Sequence, residues 1–233
     1  MKKRVLAIIP ARHGSKRIKN KNIKIFFGKP IIYYAIKNAI KSNIFNDIIV
    51  STDSKKIAKI SNKFGARTPF LRSKKLSNDN TNTISVIIDA IHQMEKIGKK
   101  YDFVCCIYPA NPFLNPKNLI KAFNIIKNEK NIDYVLTGVA YQHPIERSFK
   151  IKNNKIVSLQ IKKINSRTQD LHDSFHDGAQ FYLGKTNKWK SKKPIISKKS
   201  KIIVLDQLNS QDIDYPSDFE MAKIKFKNLN LKL

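Results

Sequence analysis

Three features of the sequence predict an α/β fold: three layers around a mostly parallel sheet, with a small β-rich insertion. First, Val5-Leu-Ala-Ile-Ile9 is an unbroken apolar run closed by Pro10, the pattern of a strand buried on both faces. Second, comparable runs return at residues 47–51, 103–108, 134–139 and 201–205. Third, the stretches between the early runs carry apolar residues at helical spacing. Strand, helix, strand and helix within the first 65 residues imply right-handed crossovers and parallel pairing.

Taken in order, Pro30 opens a helix whose stripe is Ile31, Ile32, Ala35, Ile36, Ala39 and Ile40. Thr52, Asp53 and Ser54 offer N-cap oxygens to a helix that Gly65 ends. Residues 69–82 are polar and read as a loop. The next helix keeps Ile84, Ile87, Ile88, Ile91, Met94 and Ile97 on one face and stops at Gly98. After the strand at 103–108, Pro109-Ala-Asn-Pro112 breaks the chain and Asn115-Pro116 caps a helix to about residue 127. The alternation then lapses. Short alternating pieces at 148–152 and 155–159 mark an antiparallel insertion at about 141–190, too small for a core of its own, so residues 1–233 form a single domain. A last helix runs from Pro216 through Phe226.

Composition narrows the function classes. No apolar run approaches the roughly 18 residues needed to span a bilayer, and nothing reads as a signal peptide. Cys105 and Cys106 are adjacent in a strand, so they point to opposite faces as core thiols, in keeping with a reducing cytoplasm. The 46 basic and 17 acidic residues give a net charge of +29, which keeps a nucleic-acid binder among the rivals. The lysines are nonetheless spread over almost every segment, and a field of this sign also speeds encounter with anionic nucleotides and acidic sugars.

The chemistry gathers in a few places. Behind the first strand, Pro10-Ala-Arg-His-Gly-Ser-Lys-Arg-Ile-Lys-Asn-Lys-Asn22 is too basic to be core. It stands where open α/β sheets bind ligands. Gly14 admits close backbone approach, Ser15 adds a hydroxyl, and Arg12, Lys16 and Lys21 neutralise phosphate; a solvated basic turn is the plainer alternative. The loop has no Walker spacing. In Gln211-Asp-Ile-Asp-Tyr-Pro216, Asp212 and Asp214 at i and i+2 share one side of an extended chain, which suits a Mg²⁺ ion that also takes phosphate oxygens; equally, one of them, or Ser217, caps the following helix. His172 and His176 mimic a zinc pair but lack its glutamate. Arg167 is the kind of group that grips a carboxylate, or else one more surface cation, and Phe181 with Tyr182 could wall a pocket for acetamido methyls.

These motifs resemble a known family. Ile9-Pro-Ala-Arg-x-Gly-Ser-Lys-Arg-Ile-x-x-Lys-Asn22 is similar to the nucleotide-binding signature of the cytidylyltransferases that activate nonulosonic, sialic-type sugars. Arg167-Thr-Gln-Asp-Leu171 and Phe175-His-Asp177 resemble the pseudaminic acid branch, as does Tyr108 where sialic-acid relatives carry glutamine; Gly178-Ala179 inverts the branch's order. The resemblance implies a Rossmann-like nucleotidyltransferase fold and transfer of CMP from CTP to an acidic nine-carbon sugar. It further implies a cytoplasmic homodimer formed through the insertion, with no nucleic-acid or membrane partner. By residue, it implies Ala11, Arg12, Gly14, Ser15, Asn22, Arg72, Thr81 and Thr83 at the nucleotide, with Arg12, Lys16, Lys21 and Asp212 catalytic. Asp212 and Asp214 would hold Mg²⁺, and Tyr108, Arg167, Gln169, His176, Asp177, Gln180 and Phe181 would hold the sugar. Sialic and legionaminic acids are the competing substrates.

Overall fold

The computed structural model describes residues 3–159 and 164–229. Its centre is a six-stranded sheet. The parallel members are β1 (Val5–Pro10), β4 (Asp47–Ser51) and β5 (Phe103–Ile107) on one side, and β6 (Tyr134–Ala140) with β10 (Ser200–Leu205) on the other. The spatial order is β10-β6-β9-β5-β1-β4, so β9 (Phe175–Lys185) lies between the two sets, antiparallel to both neighbours. The insertion expected at 141–190 therefore ends earlier. Only the part before residue 175 leaves the sheet, and its visible strands are a separate hairpin, β7 (Phe149–Lys152) with β8 (Lys155–Ser158). Asn153 and Asn154 form its turn, both left-handed as such tight turns require.

Alternation of side chains sends each strand's residues into two cores. One face packs α1 (Ile32–Ser42), α2 (Lys55–Lys63) and α4 (Pro116–Asn128) over Val5, Ala7, Ile9, Cys105 and Phe181. The other packs α3 (Thr83–Lys96) and the short α5 (Thr186–Lys190) over Leu6, Ile8, Cys106 and Tyr182, with Trp189 fully buried. Cys105 and Cys106 are free, and they part to opposite faces as alternation demands. A third cluster joins Phe26 and Ile31 to α6 (Pro216–Asn228).

Helix starts follow the expected chemistry at Ser54, which accepts the Ile57 N–H, and at Asn115, which accepts the Lys117 N–H. Pro30 departs from expectation. It pairs with Ile25 in a two-stranded ribbon, β2 (Ile25–Phe26) with β3 (Lys29–Pro30), and the helix opens two residues later at Ile32. The first strand turns outward through α1 to β4, while the third parallel strand is added on its other side. Such a topological switch point lies between β1 and β5, and a crevice opens at their carboxyl ends.

Candidate active site

The crevice is a cleft of about 680 Å³ floored by Pro10, Tyr108 and Pro109 at the strand ends. The basic loop forms one wall and is pinned from behind. The Ala11 N–H bonds the Ser51 carbonyl at 2.9 Å, the His13 N–H bonds Asp53 Oδ1 at 2.9 Å, and the buried Asn22 donates to the Arg12 carbonyl at 3.0 Å. With the backbone held, Arg12, Ser15, Lys16, Arg17 and Lys21 all line the cleft.

Two carboxylates on opposite rims hold these cations. Asp79 meets Arg12 Nη1 and Lys16 Nζ, each at 2.5 Å, and those two hold its carboxyl below the usual carboxylate range. Asp214 meets Arg17 at 2.8 Å and Lys21 at 3.3 Å. Lys21 also donates to the Ile213 carbonyl at 2.6 Å, tying the loop to the 211–215 segment. All four cations thus converge on anionic oxygens, and a polyphosphate supplies the same ligand type.

Asp212 and Asp214 both line the cleft, and neither caps the helix. That role falls to Asp218, whose Oδ2 accepts the N–H groups of Asp214 at 2.9 Å and Tyr215 at 2.7 Å. Asp212 is a solvent-accessible residue, but burial of its carboxyl, with Asp214 close by, raises its pKa. A carboxyl held in that state is a fitting ligand for a hard dication, since the added charge offsets both causes. Two carboxylates with room for phosphate oxygens is the donor set such an ion takes. Among the described residues no group of three or more His, Cys, Asp or Glu is assembled for a metal.

The opposite wall contributes Arg72, Leu76, Asn78, Thr81, Thr83 and Val86. Arg72 is buried, and its Nε and Nη2 find no hydrogen-bond partner among the described residues; burial lowers its pKa. A buried guanidinium with idle donors is unfavourable until a ligand accepts from it. Thr81 turns its hydroxyl back to Asn78 Oδ1, 2.9 Å away, whereas Thr83 opens α3 beside Tyr108.

Several expected contacts fall elsewhere. The side chain of Ala11 is in the core, and Gly14 is exposed, in ordinary backbone, and absent from the described lining. Phe181 is wholly buried in the core beneath α1 and α4, so it cannot wall a sugar pocket. Gln180 is also buried, and its amide donates to the Asn209 carbonyl at 2.9 Å, bracing the segment that leads to Asp212. Arg167 and Gln169 sit at the exposed 3₁₀ turn Thr168–Asp170 and are not among the described residues lining the cleft. His176 meets the Tyr141 ring edge-on at 5.1 Å in an adjoining depression of about 500 Å³, which shares Asp212 with the cleft. Tyr108 lines the cleft, and Asp177, outside the described lining, is linked to it through Tyr182. Arg17 and Asp79 line the cleft too, though the motif reading gave neither a role. The signal for Arg17 was its place in the basic run, and for Asp79 its being one of few acids in a basic chain.

The sequence profile of a family described as cytidylyltransferase matches residues 6–225, almost the whole chain. The chain belongs to the cytidylyltransferase family. It is 38% identical over 224 residues to the pseudaminic acid cytidylyltransferase of Campylobacter jejuni, covering 95% of this chain and 96% of that one. It is 29% identical to the CMP-N,N'-diacetyllegionaminic acid synthase of Legionella pneumophila, covering 97% of each. Among solved structures, CMP:2-keto-3-deoxy-manno-octonic acid synthetase complexed with CTP superposes with a TM-score of 0.72 over 98% of this chain, at 14% identity, a likeness of fold. No helix of the described residues is long and apolar enough to cross a membrane.

Proposed function

We propose that the chain transfers CMP from CTP to the anomeric hydroxyl of pseudaminic acid, releasing pyrophosphate. The observation that carries the reading is the facing of four loop cations and two aspartates across one cleft. The 38% identity to a pseudaminic acid cytidylyltransferase over nearly full length supports the choice of sugar. Arg12, Lys16 and Lys21 hold the triphosphate and counter the charge that builds on its oxygens as the anomeric oxygen attacks the α-phosphorus and pyrophosphate leaves. Arg72 turns its idle donors to the nucleotide. Asp212 and Asp214 hold Mg²⁺, which when bound screens the phosphates and polarises the phosphoryl group.

The enzyme works in the cytoplasm as a homodimer. Support for the dimer lies in the β7–β8 hairpin, where Ile151 and Ile156 pair across the strands at 73% and 71% exposure. A lone two-stranded ribbon is marginal in water, and a second copy is the natural cover for these residues.

The test is CTP-dependent pyrophosphate release with purified nonulosonic acids. Pseudaminic acid should exceed N-acetylneuraminic acid at least about 10²-fold in kcat/KM, a ratio within what buried polar groups in a pocket supply. A preference for a legionaminic acid would reassign the sugar and keep the reaction.

A further inference from the structure

One wall of the cleft holds a hydrogen-bond chain that phosphate binding does not use. Tyr108 stands at the end of β5 with its hydroxyl 3.3 Å from that of Tyr182, and the rings meet edge to face at 5.6 Å. The buried Tyr182 hydroxyl donates in turn to Asp177 Oδ2. The other Asp177 oxygen takes the Ala179 N–H at 2.9 Å.

Asp177 and Tyr182 are five residues apart on one strand, which in regular β-structure puts them on opposite faces and about 16 Å apart. They meet because β9 bulges. Gly138 of β6 is opposite Asp177 and Leu136 is opposite Tyr182, so Thr137 alone faces the four residues between. The bulge is tightly made. A Cβ on Gly178 would stand 2.9 Å from Thr137 Oγ1, and Ala179 is left-handed at φ 49°. A strand distorted to this degree beside a cleft re-aims side chains toward it.

Counting protons gives the chain a direction. Both Asp177 oxygens accept, so that carboxylate supplies no hydrogen. Tyr182 spends its only proton on Asp177 and must therefore accept the proton of Tyr108. Burial pushes the Tyr108 phenol up to about 12, so at neutral pH it keeps that proton. With its proton directed inward, what the Tyr108 oxygen presents to the Thr83 hydroxyl and to the cleft is acceptor capacity.

We infer that Asp177 and Tyr182 are positioning residues that make the Tyr108 hydroxyl an obligate acceptor, so the sugar must present a donor there, a hydroxyl or an acylamino N–H. This rests on the reading of the cleft as a sugar-nucleotide site. It assigns sugar selection partly to polarity. A glutamine at this position could donate as well as accept, whereas a tyrosine tied in this way rejects a group that can only accept.

A double-mutant cycle on the full chain tests it, with pseudaminic acid as probe and thermal midpoints as the check on folding. Tyr108→Phe and Asp177→Asn should each lower kcat/KM for the sugar at least about 10-fold while the KM for CTP stays within about twofold, the scale of one polar contact. The amide that Asp177→Asn introduces can donate to Tyr182, which frees Tyr182 to donate to Tyr108 and reverses the polarity. In the Tyr108→Phe background, Asp177→Asn should then cost nothing more. Full additivity would overturn the inference. Should Asp177→Asn unfold the chain, Tyr182→Phe keeps the ring packing and removes the acceptor. Its loss of sugar kcat/KM should vanish in the Tyr108→Phe background, and unchanged kcat/KM for the single variant would also overturn it. Wild-type enzyme that releases no pyrophosphate with any acidic nine-carbon sugar would instead sink the substrate reading.

Discussion

Asp212 holds the sharpest tension between stability and function. Its carboxyl is raised above the ordinary carboxylate range, so the folded chain binds its proton more tightly than the unfolded chain does. Such a group lends stability in acid and withdraws it as pH rises through the folded value. Asp212→Asn should therefore raise the thermal midpoint at pH 7, with the gain shrinking toward the ordinary carboxylate pKa, while turnover falls at least about 10²-fold, the size of one lost electrostatic contributor. A fall in midpoint together with near-normal turnover would leave the residue a structural role only. Ala179 offers a second test at this scale. Its left-handed backbone costs an alanine about 1 kcal/mol, so Ala179→Gly should stabilise the fold by up to that amount in denaturant titration, less the glycine's greater chain entropy. Residue type marked the basic loop and the aspartate pair but left helix capping an equal alternative for the aspartates, and it is the fold that brings both segments to one cleft and gives the cap to Asp218. Phe181 was misplaced: it adjoins Tyr182 in regular pairing with β5, and alternation sends the two to opposite cores, so both could not wall one pocket.

At the scale of elements, the parallel strands and their helices were readable because each strand is a plain apolar run and each helix has a cap or stripe. β9 was missed as a sheet member for the same reason its bulge exists: Asp177-Gly-Ala-Gln180 interrupts the apolar pattern midway. The hairpin β7–β8 was legible as two alternating pieces, and its exposure gives it a test. Every residue of β7, and the first three of β8, is exposed. Ile151→Lys with Ile156→Lys should yield a monomer by light scattering with the sheet's circular dichroism intact. A dimer that survives both changes would move the contact elsewhere.

Over the whole molecule, the net charge of +29 raises the question whether nucleotide affinity is a matter of site or of field. Lys16 lines the cleft, whereas Lys201 pairs with Glu129 at 2.6 Å on the sheet's edge strand. Lys16→Ala should raise the KM for CTP several-fold, on the order of 1 kcal/mol for a charged hydrogen bond, and Lys201→Ala should leave it unchanged. Equal effects would mean that the field alone draws the nucleotide. In wild-type enzyme, salt should slow CTP association while changing turnover little, because screening acts on the long-range part of the attraction.

The position of β9 also bears on how the chain emerges from the ribosome. β5 and β6 never touch as neighbours; each is bonded to β9, which is made roughly 35 to 70 residues later. Until Lys185 has left the exit tunnel the nascent chain holds the three-stranded sheet β4-β1-β5 with a bare edge on β5 and leaves β6 unpaired, since β10 is made later still, and such edges are templates for intermolecular pairing. A ribosome-bound chain stalled at residue 174 should be protease-sensitive and recruit chaperone, and one stalled well past α5 should be neither. This single antiparallel strand, placed late in the sequence and in the middle of the sheet, makes the fold's completion a late event of synthesis.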